Sequence, residues 1–442
     1  MSSAPGQNRL RPGSAECSMG LELFYTTSTG VGGKLRKRTE DFVVEEVSMY
    51  PAPVKPPKTG RFSVAKVKAF NWETNRLVKR LARDLNIRSH KVHFAGTKDK
   101  RGITTQLMSF EASPEDLKDL RIPDVTISDV YTSNHRLKLG RLYGNKFDIL
   151  LSNPDLEGKA LEEAIKETQA QLEELNGFPN FFGVQRFGAV RPITHNVGKY
   201  IVQRKFEEAV WEYIGRPLPG DTIGFEVRTN LVKTRDLESA LQEYPKELEF
   251  ERAMIRYLID NPEDYIGALR RFPQNLLAMF VHSYQSYIFN LILCARIERG
   301  ISLTEPQPGD LVLPVDKDGL PIHTEWYEVT VDNRKKLTKL VGAQRAFISG
   351  LVFGSETEFA SGVQGEIEHE FINREKLVPD DFVIPELLPA SSSGIRRELA
   401  APVSNFELEI TEDSARFKFQ LNKGTYATSL LREYMKTEAI NY

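Results

Sequence analysis

The alternation of apolar and polar positions changes period several times along the chain, and each change marks an element. Phe42-Val43-Val44-Glu45-Glu46-Val47 is short and β-branched, and it predicts a strand within Gly33–Val47. After a Pro-rich connector (Pro51, Pro53, Pro56, Pro57), Phe62 to Ala69 alternates with period two and predicts a second strand. Leu77, Leu81 and Leu85 then recur every four residues from Thr74 to Asn86. That spacing predicts an amphipathic helix with Arg76, Lys79, Arg80 and Arg83 on or near its polar side. Val92 to Gly96 and Ile103 to Phe110 read as a hairpin whose connection carries Asp99. Lys138 to Leu151 reads as β sequence broken by Gly140 and Gly144.

Further on, Leu161, Ala164, Ile165, Thr168, Leu172 and Leu175 mark a helix that stops at Asn176-Gly177. A helical, acidic middle section is expected to about residue 300, and Pro- and Gly-rich β sequence from 305 to 390. Phe417 to Leu421 reads as a strand, Asn422 to Thr425 as a turn, and Ala427 to Met435 as a short helix. Similar elements thus open and close the chain around a different central block. This predicts an α+β catalytic domain interrupted by an insertion: 19–205 as its first part, 206–395 as the insertion and 396–442 as its completion. Residues 1–18, rich in Ser, Gly and Pro and lacking the apolar core of a signal peptide, are expected as a disordered tail.

At 442 residues the chain exceeds what one core usually organises. Its only cysteines, Cys17 and Cys294, are far apart, which excludes a disulfide framework or a zinc spacing and fits a reducing, cytoplasmic setting. The apolar run Leu276 to Cys294 is interrupted by His282, Ser283, Gln285, Ser286 and Asn290, so no membrane partner is expected. Nothing fixes an oligomeric state, and a monomer is compatible with the sequence. The net charge of −2 hides an asymmetry. Twelve Lys or Arg face three acids between Arg61 and Gln106, whereas acids exceed bases by about 12 from Phe206 to Ile395. A basic region in an acidic protein is the footprint of a polyanion partner, nucleic acid first, although a solvated helix face gives the same count.

Asp99 stands between Lys98 and Lys100, with Arg101 following. Adjacent cations keep a carboxylate ionised when phosphates approach, which suits a nucleophile, a general base or an electrostatic partner. An Asx-type turn residue in an ion-paired loop is the structural alternative. The loop Asn180-Phe181-Phe182-Gly183-Val184-Gln185-Arg186-Phe187-Gly188 holds three Phe in nine residues. Such rings suit stacking on an unpaired base, with Asn180 hydrogen-bonding its edge; a core plug after the helix end is the alternative. Phe42 and Tyr426 are further aromatics beside polar groups. His90 and His93 lack the cysteines or carboxylates that would complete a metal site and are read as structural or RNA-facing.

Six segments together resemble the TruD family of tRNA pseudouridine synthases, archaeal branch. They are Glu40 to Glu45; Phe94 to Lys100 with Thr105-Gln106; Leu137 to Gly140 with Gly144 to Phe147; Asn180 to Gly188; Tyr284 to Asn290; and Gly424 to Ser429 with Leu431-Arg432-Glu433. Their order is the family's. The resemblance implies a pseudouridine-synthase catalytic domain with a mixed, mainly antiparallel sheet, interrupted by a large α+β insertion (TRUD) domain. It implies isomerisation of a flipped-out uridine, at position 13 of the tRNA D-arm, to pseudouridine. The catalytic aspartate falls on Asp99, and substrate contacts on Phe42, Asn180, Phe182 and Tyr426. The basic position six before the motif Phe, often Lys in the family, is Arg36, and Arg is not an equivalent donor. Lys98, Lys100 and Arg101 are then expected to hold phosphates and orient Asp99, and Arg76, Lys79, Arg80 and Arg83 to bind RNA. No metal or organic cofactor is expected, because the reaction oxidises nothing and conserves its atoms. Two other functions share these features. A noncatalytic RNA-binding or chaperone protein would use the same basic face, and a phosphohydrolase with an aspartyl nucleophile would need a metal.

Overall fold

The computed structural model describes residues 9–50, 54–98, 100–188 and 190–442. They form two compact units. One comprises Ser28–Phe178, Ala401–Thr437 and Asn441–Tyr442; the other comprises the chain through Thr27, Pro179–Ala400 and Glu438–Ile440. The divisions fall at 178/179 and 400/401, where the sequence pattern puts boundaries at 205/206 and 395/396.

The first unit is built on an eight-stranded sheet. In chain order its early strands are β1 (Phe42–Ser48), β2 (Phe62–Phe70), β3 (Val92–Phe94), β4 (Ile103–Phe110), β5 (Val125–Ser133) and β6 (Leu142–Ser152). Two late strands, Ser404–Ile410 and Ser414–Asn422, complete it. The spatial order is Ser404–Ile410, Ser414–Asn422, β6, β1, β4, β2, β5, with β3 also paired to β4. Among the described residues of this sheet, β1 and β4 run parallel and the other pairings are antiparallel. The sheet is therefore mixed and mainly antiparallel, as expected of an α+β fold.

The expected basic helix spans Thr74–Asp84, capped by the Glu73 carboxylate on the amides of Asn75 and Arg76. Its Leu77, Val78, Leu81 and Ala82 pack against Ala65, Val67 and Met108 of the sheet. The strand expected within Gly33–Val47 is shorter. Gly32, Gly33 and Arg36 all have positive φ (63°, 85° and 56°), which breaks the extended run before Phe42.

In the second unit, helices dominate from Thr194 to Glu298. The helix Gln274–Glu298 is long and apolar enough to cross a membrane by composition, yet Phe280, Tyr284, Ile288 and Leu291 lie in this unit's core. The helix Thr194–Val202 packs so closely on it that a Cβ at Gly198 would meet the Phe280 carbonyl at 2.0 Å. Residues 305–390, expected as β sequence, are mixed instead. Leu311–Pro314, Tyr327–Glu328, Ala346–Val352 and Ile395–Glu398 form an antiparallel sheet, and Arg334–Gly342 and Gly362–Arg374 are helices. The glycines and prolines there punctuate the helices rather than exclude them. Residues 9–18 are likewise not a free tail: Ser14–Cys17 is a helical turn with Glu16 buried. Asn290 donates to the Met19 carbonyl and the Glu22 amide donates to Cys294 Sγ, fastening this segment to the long helix.

Candidate active site and nucleic-acid interface

Strand β1 places Phe42, Val44 and Glu46 on one face, since alternate side chains share a side. Phe42 is buried, with the Arg36 guanidinium 4.0 Å above its ring and Phe147 edge-on at 6.3 Å. Such a cation–π contact contributes roughly 0.5–2 kcal/mol. It presents an aromatic and a cation side by side.

Glu46 holds Lys98. The ammonium donates to Glu46 Oε2 at 2.8 Å, with side-chain exposures of only 5% and 0%. Burial raises the Glu46 carboxyl above its usual range, and Lys98 pulls the other way. The Lys98 backbone is tied as well. Its amide donates to Thr74 Oγ1 at 2.7 Å, and that hydroxyl donates back to the Lys98 carbonyl at 3.2 Å. The expectation that Lys98 meets phosphate alongside Lys100 and Arg101 is thus corrected. Lys98 is an internal anchor, because an isolated buried carboxylate at Glu46 requires a counter-ion. Lys100 and Arg101 remain exposed. Asp99 lies outside the described residues; its neighbours are held on one side by Lys98 and on the other by Gly102. A Cβ at Gly102 would meet the Phe42 carbonyl at 2.6 Å, so the turn lies against β1 only with glycine there.

Beside this turn is a cavity of about 310 Å³ whose lining includes Trp72, Glu73, Arg76, Lys100 and Asp124. On the adjacent helix, Arg80 and Arg83 both pair with Asp84, at 2.6 and 3.2 Å. The hydrogen bond from Arg80 is the main cause holding that carboxyl below its usual range. Arg76 and Lys79 are exposed and make no ion pair with a described residue. Tyr426 is half-buried at the N-cap of the helix Ala427–Met435. Phe42, Arg36, Lys98, Lys100, Arg101, Tyr426 and the four helix cations all belong to the first unit.

Asn180 and Phe182 belong to the second. Asn180 is fully buried: its amide nitrogen donates to the Glu398 carbonyl at 3.0 Å, and its amide oxygen accepts from Arg397 Nη2 at 2.7 Å. Phe181, Phe182 and Phe187 are buried too, so the loop is not an exposed aromatic surface. Its apolar rings cover the core, and the Asn290 side chain bonds both the Phe182 amide and carbonyl. Sequence reasoning missed Arg397, whose guanidinium lies 4.2 Å over the Phe182 ring, and also Glu46 and Asn290 as anchors. The Arg396-Arg397 doublet next to Glu398 was the available signal. His93 packs edge-on to Phe62 at 6.0 Å.

Comparison with known proteins agrees with this assembly. A family model for tRNA pseudouridine synthase D (TruD) matches residues 18–434. Among curated relatives named tRNA pseudouridine synthase D, that of Methanococcoides burtonii is 41% identical, covering 96% of this chain and 98% of its own. That of Thermococcus sibiricus is 37% identical, covering 93% and 97%. A solved crystal structure named for tRNA pseudouridine synthase D from Methanosarcina mazei superposes with a TM-score of 0.82 at 38% identity, over 98% of this chain and all of that one. With the family model spanning residues 18–434 and relatives matched over nearly their whole length, the chain belongs to the TruD family of tRNA pseudouridine synthases.

Proposed function

We propose that the chain isomerises a uridine of tRNA to pseudouridine, at position 13 of the D-arm, with Asp99 as the catalytic residue. The observation that carries this reading is the anchored turn. Lys98 and Gly102 hold the backbone on both sides of Asp99 against β1, next to the Arg36–Phe42 pair, in a chain that matches the TruD family from 18 to 434. The reaction breaks the N-glycosidic bond, turns the freed uracil and rejoins it to the ribose through C5. It is an isomerisation without net oxidation, so it asks the protein for positioning and charge. The uridine must leave its stack, which costs a few kcal/mol, and stacking on an aromatic returns roughly 1–3 kcal/mol.

In this reading the first unit is catalytic, with Phe42 and Tyr426 lining the uracil pocket and Arg36 beside it. Lys100, Arg101, Arg76 and Lys79 take phosphates. Asn180 and Phe182, held in the second unit, are read as further nucleotide contacts. The protein is placed in the cytoplasm with its substrate.

The test is to incubate the pure protein with an unmodified tRNA transcript and map pseudouridine. Wild type is expected to modify one D-arm uridine, and Asp99→Asn to bind the transcript without modifying it. A transcript left unmodified by wild type, or Asp99→Asn retaining every effect, favours a noncatalytic RNA-binding protein and overturns the proposal.

A further inference from the structure

The strand Ile395–Glu398 carries two successive arginines that point to opposite sides, as period two requires. Arg396 is closed on a carboxylate: its Nη1 donates to Glu368 at 2.9 Å, and Nη2 to the Ser349 carbonyl at 2.8 Å. That is an architectural pair, fully buried. Arg397 does something different. Its Nη2 donates to Asn180 Oδ1 at 2.7 Å, its plane lies 4.2 Å over the Phe182 ring, and the Phe289 ring is 5.7 Å away. Phe289 meets Phe182 edge-on at 5.4 Å, closing the ring from another side.

From this we infer that Arg397 is a positioning residue for the isomerisation, presetting Asn180 and Phe182 together. The inference rests on the proposal that these two contact the nucleotide. Arginine has only donors, so the Asn180 atom facing it is the amide oxygen, and the nitrogen is then turned to the Glu398 carbonyl. One guanidinium therefore decides which end of the amide is presented and fixes the neighbouring ring in the same act. A planar fork does this; an ammonium supplies the charge without fixing both partners. Glu398 supports the arrangement from the same strand. Burial tends to raise its carboxyl, but the hydrogen bond from His323, 2.8 Å away, and the charge of Arg397 hold it net below the usual range, so it stays ionised beside Arg397.

The experiment uses the full chain with an unmodified tRNA transcript, enzyme in excess, and measures single-turnover pseudouridine formation and tRNA affinity separately. The variants are Arg397→Gln, Arg397→Lys, Asn180→Ala and the double variant Asn180→Ala/Arg397→Gln. Arg397→Gln is expected to lose about ten-fold or more in rate at saturating tRNA, with affinity within about three-fold of wild type, because misplacement is felt in the chemical step. Arg397→Lys is expected to recover part of the rate. The double variant is expected to be no slower than Asn180→Ala, since the arginine acts through the amide. A wild-type rate in Arg397→Gln beside a slow Asn180→Ala sinks the inference and leaves the site reading standing, as do losses that multiply in the double variant. A wild-type rate in Asn180→Ala sinks both. Failure of both Arg397 variants to fold, seen as melting below the assay temperature, makes the residue part of the scaffold and overturns the inference.

Discussion

Lys98 and Glu46 form a buried ion pair 2.8 Å apart, and the residue that follows Lys98 is the candidate catalytic aspartate. The pair fixes the residue that precedes this aspartate to β1. Removing one partner of a buried pair commonly costs about 3–5 kcal/mol, because the other charge is left without compensation. Lys98→Met is therefore expected to lower stability on that scale and to abolish most turnover. Lys98→Met combined with Glu46→Leu should lose less stability than Lys98→Met alone. Urea denaturation of the three proteins checks this. Stability unchanged in Lys98→Met would mean the pair is not formed in solution.

Salt dependence separates the cations that meet RNA from those that do not. Each phosphate contact contributes close to one unit of slope in log affinity against log salt. Arg76→Ala and Lys79→Ala are each expected to reduce the slope by about 0.7 to 1. Arg80→Ala and Arg83→Ala should reduce it less, because both side chains share Asp84. Lys98→Met should leave the slope alone. Equal slopes for all the helix variants and wild type would take this helix out of the interface.

The Arg36–Phe42 contact gives a test of the uracil pocket. Phe42→Ala removes the ring on which a base would stack, worth roughly 1–3 kcal/mol, or about five-fold to more than a hundred-fold in turnover. Arg36→Lys keeps the charge but not the flat guanidinium held 4.0 Å above that ring, and should lose several-fold. Single-turnover rates with saturating tRNA report both. Wild-type rates in Phe42→Ala would make the ring a core residue only.

What was legible in the sequence was local. The helix Thr74–Asp84 follows from leucines four apart, and the β3–β4 hairpin from two short strand-like runs around a basic turn, because neighbours on one element fix both patterns. What escaped was set by distant partners. Glu46 reaches Lys98 across 52 residues and Arg397 reaches Asn180 across 217, so neither burial shows in any window of the chain. For the same reason sequence leaves the Asn180–Gly188 loop open between a stacking surface and a core plug: the surfaces that bury its Phe side chains, Phe289 and Arg397, come from far along the chain. Residues 305–390 misled differently. Their glycines and prolines sit at helix starts and in turns, and composition alone does not separate a capped helix from a strand-rich segment.

His195 contributes to the acid limit of the helical unit. Its ring is 4% exposed, stacked on Tyr287 at 5.2 Å and edge-on to Phe187 at 5.5 Å. Burial, reinforced by the charges of Arg216 and Lys199 and opposed by a backbone contact at Ser18, lowers its pKa to about 4. An unfolded histidine takes up its proton near pH 6.5. Between 6.5 and 4 the unfolded chain therefore binds more protons than the folded one. Stability is complete above 6.5 and falls as pH drops through this window, at up to about 1.4 kcal/mol per unit. Carboxylates begin to protonate near 4.5, so from 6.5 to 5 the loss comes from histidines, and burial also lowers His93 and His282. His195→Phe keeps the ring packing and removes the titration. Its urea midpoint is expected to fall less from pH 6.5 to 5 than that of wild type. Parallel curves for the two proteins would show that His195 is protonated in the folded state and that the acid limit has another origin.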